Sequence, residues 1–113
     1  MKALLTAVFL LAAVDASSAQ SGKDMLEGCK NFVETTPSPQ LAVKSGVCVG
    51  AITGMSYVAK SLPQNMKWCL PAGVTNLQQG RAVVAFFEAN PGRLNEDYRE
   101  LVMAALRQTW PCP

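Results

Sequence analysis

Residues 41–60 read LAVKSGVCVGAITGMSYVAK, and this stretch predicts the central helix of the fold. Small residues recur in it at every fourth position: Ala42, Gly46, Gly50 and Gly54. In a helix this spacing places them on one face, and we call them the small-residue strip. Each helical glycine costs about 1 kcal/mol relative to alanine, so we expect another backbone to pack closely against the strip. The sequence therefore predicts a central, buried helix that starts at Ser38 and Pro39.

The same stretch has features of two other structures, a membrane span and a β-strand. Its length is near that of a membrane span, and small residues four apart are common where membrane helices pack. Four polar residues argue against a span: Lys44, Ser45, Thr53 and Ser56. The valines between residues 43 and 52 would suit a β-strand, but the glycines and the proline-led start favour a helix.

The first 19 residues have the pattern of a secretory signal peptide. Lys2 gives a positive start, residues 3–14 are apolar, and Ala19 ends a run of small residues suited to cleavage, with an alternative cut after Ala16. The apolar run is too short for a membrane anchor. We therefore expect residues 1–19 to be a signal peptide and residues 20–113 to be one exported domain, with no membrane span after cleavage.

The number of cysteines and the net charge limit the classes of protein to which the chain can belong. Four cysteines in a short exported chain predict two disulfides, with three possible connectivities: Cys29, Cys48, Cys69 and Cys112. A zinc site would need closely spaced cysteines or histidines, and the chain has no histidine, so we expect no metal. The net charge of +2 is too small and too scattered to indicate a nucleic-acid partner.

Three further helices are predicted from apolar residues at helical spacing. The first covers about residues 23–34, and its buried stripe is Met25, Leu26, Cys29, Phe32 and Val33. The third starts with a capping box at Thr75 and Gln78 and ends near Ala89. Its inward side chains are Leu77, Val83, Val84 and Phe87, with Phe86 partly covered. The fourth is capped by Asn95, and its buried stripe is Tyr98, Leu101, Val102, Ala105 and Leu106. The fold class is all-α: a compact bundle of about four helices stapled by two disulfides.

No set of residues points to catalysis. Without histidine, the Ser–His and Cys–His nucleophile arrangements are excluded, and oxidised cysteines offer no thiolate. The acidic residues Glu88, Glu96 and Asp97 fall where solvated helix faces or helix starts are expected. We predict that the protein is not an enzyme and uses no cofactor.

Four motifs, in order, resemble those of a known family. Residues 48–54 fit C-x-G-[YF]-[IV]-x-G except at Ala51, and residues 69–78 fit C-x-P-x-x-V-T-x-x-Q. Residues 83–91 fit V-V-x-[YF]-[LF]-x-x-[HN]-P, and residues 101–112 fit L-V-x-A-A-L followed by [FW]-P-C. Together they resemble the Rap/Tai family of immunity proteins over essentially the whole exported domain. Gln79 and Gly80 also depart from the family pattern, which bears on local packing and on the binding surface.

The resemblance implies a helical, periplasmic protein that is often homodimeric. Members of the family bind a cognate peptidoglycan amidase effector of type VI secretion, block its active site and are not enzymes. We expect the motif residues to be structural: Gly50, Gly54, Pro71, Thr75 and Gln78. The alternative is an exported helical stress or ligand-binding protein that shares the fold without an effector partner.

The helix order predicts the disulfide pairing. Cys29 and Cys48 lie about equally far from the connection at 35–40, so they face each other in an antiparallel hairpin. Cys69 precedes the third helix and Cys112 follows the fourth, and antiparallel packing brings those ends together. We expect the bridges Cys29–Cys48 and Cys69–Cys112.

We expect the partner to be recognised by residues in the connections between helices, because the motif residues are used in packing. The candidates are residues 61–68 and residues 90–95, and the first carries large apolar groups without helical periodicity. We expect it to bind the partner through Leu62, Gln64, Met66 and Trp68. For Trp68, which adjoins Cys69, covering the disulfide is an equally open role.

Overall fold

The structure is a computed structural model that describes residues 20–113, so the predicted signal peptide lies outside the described residues. The helices are α1 (Gly22–Val33), α2 (Ala42–Ala59), α3 (Asn76–Ala89) and α4 (Tyr98–Thr109). Short 3-10 turns precede α2 and α4, at Pro39–Leu41 and Pro91–Arg93. Within residues 20–113 there is no β-strand, and the predicted all-α fold of four helices and two disulfides is confirmed.

The first helix, and not the second, is the centre of the bundle. A capping box starts α1: Ser21 Oγ accepts the Asp24 N–H at 3.2 Å, and Asp24 Oδ2 accepts the Ser21 N–H at 3.1 Å. The helix then packs against α2, α3 and α4. Its contact with α2 is very close, because a Cβ on Gly28 would lie 2.5 Å from the Lys44 carbonyl oxygen. Only glycine permits this approach.

The prediction that the small-residue strip is buried is wrong. A Cβ added at Gly46, Gly50 or Gly54 would meet no atom within 4 Å, so the strip faces outward. The helix buries only Cys48, Ile52 and Ala59. Cys48 lies roughly 160° around the helix from Gly50. Its disulfide to α1 therefore holds α2 against the bundle by the face opposite the strip.

The start of α2 also differs from the prediction. The segment from Pro39 makes one 3-10 turn, and the α-helix begins at Ala42 with Leu41 as its N-cap. Ser38 does not cap with its side chain; its hydroxyl donates to Gln40 Oε1 at 2.7 Å, and its backbone is bound to the buried Asn31. Asn31 Oδ1 accepts the Ser38 N–H at 2.7 Å, and its amide donates to Ser45 Oγ at 2.7 Å. One side chain thus fixes the α1–α2 connection.

The predicted core is mostly confirmed. The buried hydrophobic residues are Met25, Cys29, Cys48, Ile52, Ala59, Trp68, Val83, Phe86, Phe87, Leu101, Val102, Ala105 and Leu106. Leu77 is an error, since its side chain is 38 % exposed, and Phe86 is buried more fully than predicted. Gly80 is buried where α3 meets α1. The two helices are so close there that a Cβ on Gly80 would lie 2.7 Å from the Phe32 ring.

The fourth helix is capped by Asp97, and the predicted cap at Asn95 is wrong. Asp97 Oδ1 accepts the Arg99 backbone N–H at 2.9 Å. An isolated antiparallel β-bridge also pairs Asp97 with Ser21, and the Tyr98 N–H donates to the Gln20 carbonyl at 3.0 Å. The start of α4 is therefore fixed by contact with the start of α1.

Both predicted disulfides are confirmed. Cys29 and Cys48 are bonded, with their Cα atoms 5.3 Å apart, and both are buried. Cys69 and Cys112 are bonded, with their Cα atoms 4.9 Å apart. Beside this second bridge the Cys69 N–H donates to the Trp110 carbonyl at 2.9 Å. The bridge ties the last residues of the chain to the segment before α3.

One helical segment of the described chain, Pro39–Ala59, is long and apolar enough to cross a membrane by length and composition alone. Its 18-residue apolar window has a mean hydropathy of 1.4, and 11 % of that window is buried. Cys48 in its middle is bonded to Cys29 of α1, whose exposed side carries charged residues such as Lys23 and Glu27. This bridge fits a surface helix of a globular bundle and does not fit a span surrounded by lipid.

Candidate partner-binding surface

The connection between α2 and α3 begins with a tight, internally bonded turn. The Met66 N–H donates to the Pro63 carbonyl at 2.8 Å, and the Lys67 N–H donates to the same oxygen at 3.1 Å. At its start the Leu62 N–H donates to the Ala59 carbonyl at 3.2 Å. Residues 61–67, which we call the α2–α3 turn, therefore have a defined backbone shape before any partner arrives.

The four residues predicted to bind a partner are not equally accessible. Gln64 is exposed, and Met66 is 39 % exposed. Leu62 is half-buried and packs against the core. Trp68 is only 3 % exposed, and its indole Nε1 has no hydrogen-bond partner in the described chain. Its burial favours the structural role next to Cys69, so the accessible part of the turn is Gln64 and Met66.

The motif residues after the turn organise α3. The predicted capping box is confirmed: Thr75 Oγ1 accepts the Gln78 N–H at 3.1 Å, and Gln78 Oε1 accepts the Thr75 N–H at 2.8 Å. The Pro71 carbonyl accepts the Val74 N–H at 3.4 Å in the turn that leads into the helix. These side-chain and backbone groups are therefore engaged in local structure.

A polar contact that the sequence did not predict joins α2 to α3. The Ser56 hydroxyl donates to Gln79 Oε1 at 2.7 Å, and Gln79 is 3 % exposed. Gln79 is one of the residues that depart from the family pattern. In the sequence, this contact is indicated only by the positions of Ser56 and Gln79, each of which is a polar residue beside the apolar stripe of its helix.

Two clefts open beside the elements described above. One, of about 520 Å³, is open and lies between α1 and the turn before α2. Its Glu27 is paired with Lys44 at 2.6 Å. A cleft of about 260 Å³ lies beside the α2–α3 turn and is lined by Ser56, Ala59, Lys60, Lys67, Trp68, Cys69 and Leu70. In residues 20–113 no three His, Cys, Asp or Glu side chains gather in a metal-binding group.

The acidic residues at the start of α4 are ion-paired and poorly suited to proton transfer at neutral pH. Hydrogen bonds from the Arg99 side chain, and then from its backbone N–H, lower the pKa of Asp97 to about 2. The Arg93 guanidinium, at 2.9 Å, likewise lowers the pKa of Glu96. The guanidinium of Arg93 also lies 5.6 Å from the centre of the Phe86 ring. The connection at 90–95 is thus held by internal contacts.

These features define a small four-helix bundle that is closed by two disulfides and that exposes turns and helix faces to solvent. A family model of the Rap1a immunity proteins matches residues 21–112, and the chain belongs to that family. The match confirms the resemblance noted from the motifs. Searches of curated proteins and of solved structures gave no match.

Proposed function

We propose that this protein is the periplasmic immunity protein for a peptidoglycan amidase effector delivered by type VI secretion. The observation that carries the proposal is the family match over residues 21–112, which extends across all four helices. Two disulfides fit a protein that works in an oxidising compartment outside the cytoplasm. The signal-peptide pattern of residues 1–19 supplies the route of export.

The mode of action is occlusion and not catalysis. A small domain can block an enzyme by placing a rigid segment in its substrate groove, which requires shape and a few well-placed side chains. In the α2–α3 turn, backbone hydrogen bonds to the Ala59 and Pro63 carbonyls fix such a shape. A preordered segment loses less conformational entropy on binding than a mobile loop. We propose that this turn enters the active-site groove of the amidase.

The turn can be tested by replacing its two accessible side chains. The double variant Gln64→Ala with Met66→Ser removes an exposed amide and an apolar side chain that is 39 % exposed. Leu62 is left unchanged, because it packs against the core. We expect affinity for the cognate amidase to fall at least tenfold, measured by titration calorimetry, while the melting temperature is unchanged.

A matched control lies on the other helices. The double variant Gln108→Ala with Leu77→Ser removes an exposed amide and a leucine that is 38 % exposed. It should leave affinity as it is. If the control weakens binding and the turn variant does not, the turn is not the inhibitory element, although the immunity function itself would stand.

Homodimerisation is part of the same proposal. Members of the family are often homodimers, and α2 leaves an apolar face uncovered in the single chain. A dimer would also present two copies of the α2–α3 turn. The assembly is testable without an effector, by the mass of the purified protein in solution.

A further inference from the structure

Two lysines lie at the ends of the α2–α3 turn without an acidic partner. From residue 35 to residue 87 the sequence has no aspartate or glutamate, and its basic residues are Lys44, Lys60, Lys67 and Arg81. Lys44 is paired with Glu27, whereas within residues 20–113 neither Lys60 nor Lys67 forms an ion pair. The surface at the turn therefore carries positive charge that the chain itself does not neutralise.

Both lysines line the cleft of about 260 Å³ beside the turn. Lys60 is exposed and Lys67 is half-buried. The other lining residues include the apolar side chains of Ala59, Trp68 and Leu70, and no lining residue is acidic. Charges that meet beside apolar walls are screened less by water and salt than charges on an open surface. The cleft is therefore suited to binding an anion.

A further hydrogen-bond donor belongs to the wall of the cleft. Trp68 is 3 % exposed, and its Nε1 is covered and has no acceptor among the described residues. A buried donor without an acceptor costs free energy, and an acceptor that enters the cleft and displaces the covering atoms would recover it. Ser56, which also lines the cleft, already donates its hydroxyl proton to Gln79. The donors that remain in the cleft are two ammonium groups and one indole.

The size of the cleft favours a side chain of a protein over a free small molecule. Pockets that hold drug-sized ligands usually measure about 300–1,000 Å³, and this cleft is smaller. An aspartate or glutamate side chain needs little room, and its carboxylate only accepts hydrogen bonds, which matches a cleft whose free polar groups are donors. The occupant that fits the cleft is therefore an acidic side chain of a partner protein.

We propose that the cleft receives an aspartate or glutamate side chain of the amidase, whose carboxylate accepts hydrogen bonds from the ammonium groups of Lys60 and Lys67. This inference rests on the proposed function and adds the chemistry of the partner's surface. Lys67 is the last residue of the α2–α3 turn and Lys60 directly precedes the turn, so an enzyme that takes the turn into its groove also covers the cleft. Hydrogen bonds between charged groups are stronger than those between neutral groups. The turn supplies the blocking shape, and the cleft supplies the ionic contact beside it.

Positive charge at this place also affects how fast the two proteins associate. Opposite charges across an interface raise the association rate, and salt weakens the attraction. We therefore expect the affinity of the wild-type protein for the amidase to fall as the salt concentration rises. A variant without the two lysines should depend less on salt, because the charges that salt screens have been removed.

The double variant Lys60→Gln with Lys67→Gln tests the contact. It removes both ammonium groups and leaves the backbone hydrogen bonds of the turn in place. We expect titration calorimetry at low salt to show an affinity for the amidase at least about tenfold lower, with the melting temperature unchanged. The matched control is Lys23→Gln with Arg81→Gln, which removes the same charge from exposed positions of α1 and α3 and should keep the wild-type affinity.

The indole of Trp68 reports whether the cleft itself is filled. The chain has two tryptophans, so the variant Trp110→Phe assigns the two indole N–H signals in an NMR spectrum of nitrogen-labelled protein. Addition of the amidase should shift the Trp68 signal. A complex in which this signal keeps its position overturns the proposal, because the cleft is then unfilled. If vesicles of anionic phospholipid shift the signal and the amidase does not, the cleft serves a membrane surface and the proposal is wrong.

Carbodiimide cross-linking of the complex identifies the partner's carboxylate. The reagent joins an amine to a carboxylate that is in contact with it, and mass spectrometry then locates the linked residues. We expect links from Lys60 or Lys67 to an aspartate or glutamate of the amidase. Links from Lys23, Lys30 or Lys44 alone, or a double variant that binds as tightly as the wild type, would overturn the cleft contact and leave the proposed function standing. An amidase that does not bind the wild-type protein would overturn both.

Discussion

Glycine at position 28 and glycine at position 50 should respond in opposite ways to the same substitution. A Cβ on Gly28 would lie 2.5 Å from the Lys44 carbonyl oxygen, whereas a Cβ on Gly50 would meet nothing within 4 Å. Gly28→Ala should lower the free energy of unfolding by about 1–3 kcal/mol, because α2 must move away from α1. Gly50→Ala should raise it by up to about 1 kcal/mol, because alanine is the better helix former.

Urea unfolding of the two variants, at a protein concentration at which the chain is monomeric, measures both effects. A loss of stability in Gly50→Ala equal to that in Gly28→Ala would mean that the small-residue strip is packed after all. This would restore the interpretation drawn from the sequence and contradict the structure.

The two glycines also show that residue spacing predicts which residues share a helix face but not which face is buried. Periodicity identified which residues of α2 share a face, and it did so correctly. It did not identify which face is buried, because the opposite side, with Cys48 and Ile52, is equally apolar. The close approach at Gly28 was not predicted, because α1 has no regular repeat of small residues to mark it. The disulfide residues were predicted, since an even cysteine count and an antiparallel hairpin leave few arrangements.

At the scale of one element, the start of α4 should make stability depend on acid. The pKa of Asp97 is about 2, below its usual 3.8, because Arg99 donates to the ionised carboxylate. A carboxyl whose pKa is lower in the folded state stabilises the fold fully above its unfolded pKa. This contribution is lost as pH falls from about 4 to about 2.

The variant Asp97→Asn isolates that contribution. Asparagine is also a good N-cap, so the helix start is kept while the titrating group is removed. We expect the melting temperature of the wild-type protein to fall more steeply between about pH 4 and pH 2 than that of the variant. The remaining slope should come from other carboxyls whose pKa is lowered, such as Asp24 beside Ser21. Parallel curves for the two proteins would show that Asp97 contributes nothing.

The element boundaries show where local sequence information ends. The capping box at Thr75 and Gln78 was predicted, because both partners lie within one helical turn. The cap of α4 was placed two residues early, at Asn95, because Asn95 and Asp97 are both good cap residues. The pairing of Asp97 with Ser21, which is distant in the sequence, favours Asp97 over Asn95 as the cap. The residue types near the start of α4 do not by themselves predict that contact.

At the scale of the whole molecule, the fold was predicted more completely than the binding surface. Helix number, order and disulfide pairing follow from apolar spacing, short connections and cysteine positions. Of the four residues predicted to bind a partner, the structure exposes Gln64 and Met66 and buries Trp68. Composition cannot distinguish an interface tryptophan from one that belongs to the core, since both are large and apolar. The exposure of the small-residue strip was not predicted, because small residues four apart are equally typical of a buried, closely packed helix face.

The central claim is that this chain protects a cell by binding a peptidoglycan amidase in the periplasm. The direct measurement is survival of a bacterium that exports the cognate peptidoglycan amidase into its periplasm, with and without this protein. We predict full protection by the chain with residues 1–19 intact, and no protection by a version lacking them, which stays in the cytoplasm. Lysis that proceeds equally in all three strains, with the intact chain detected in the periplasm, would contradict the claim.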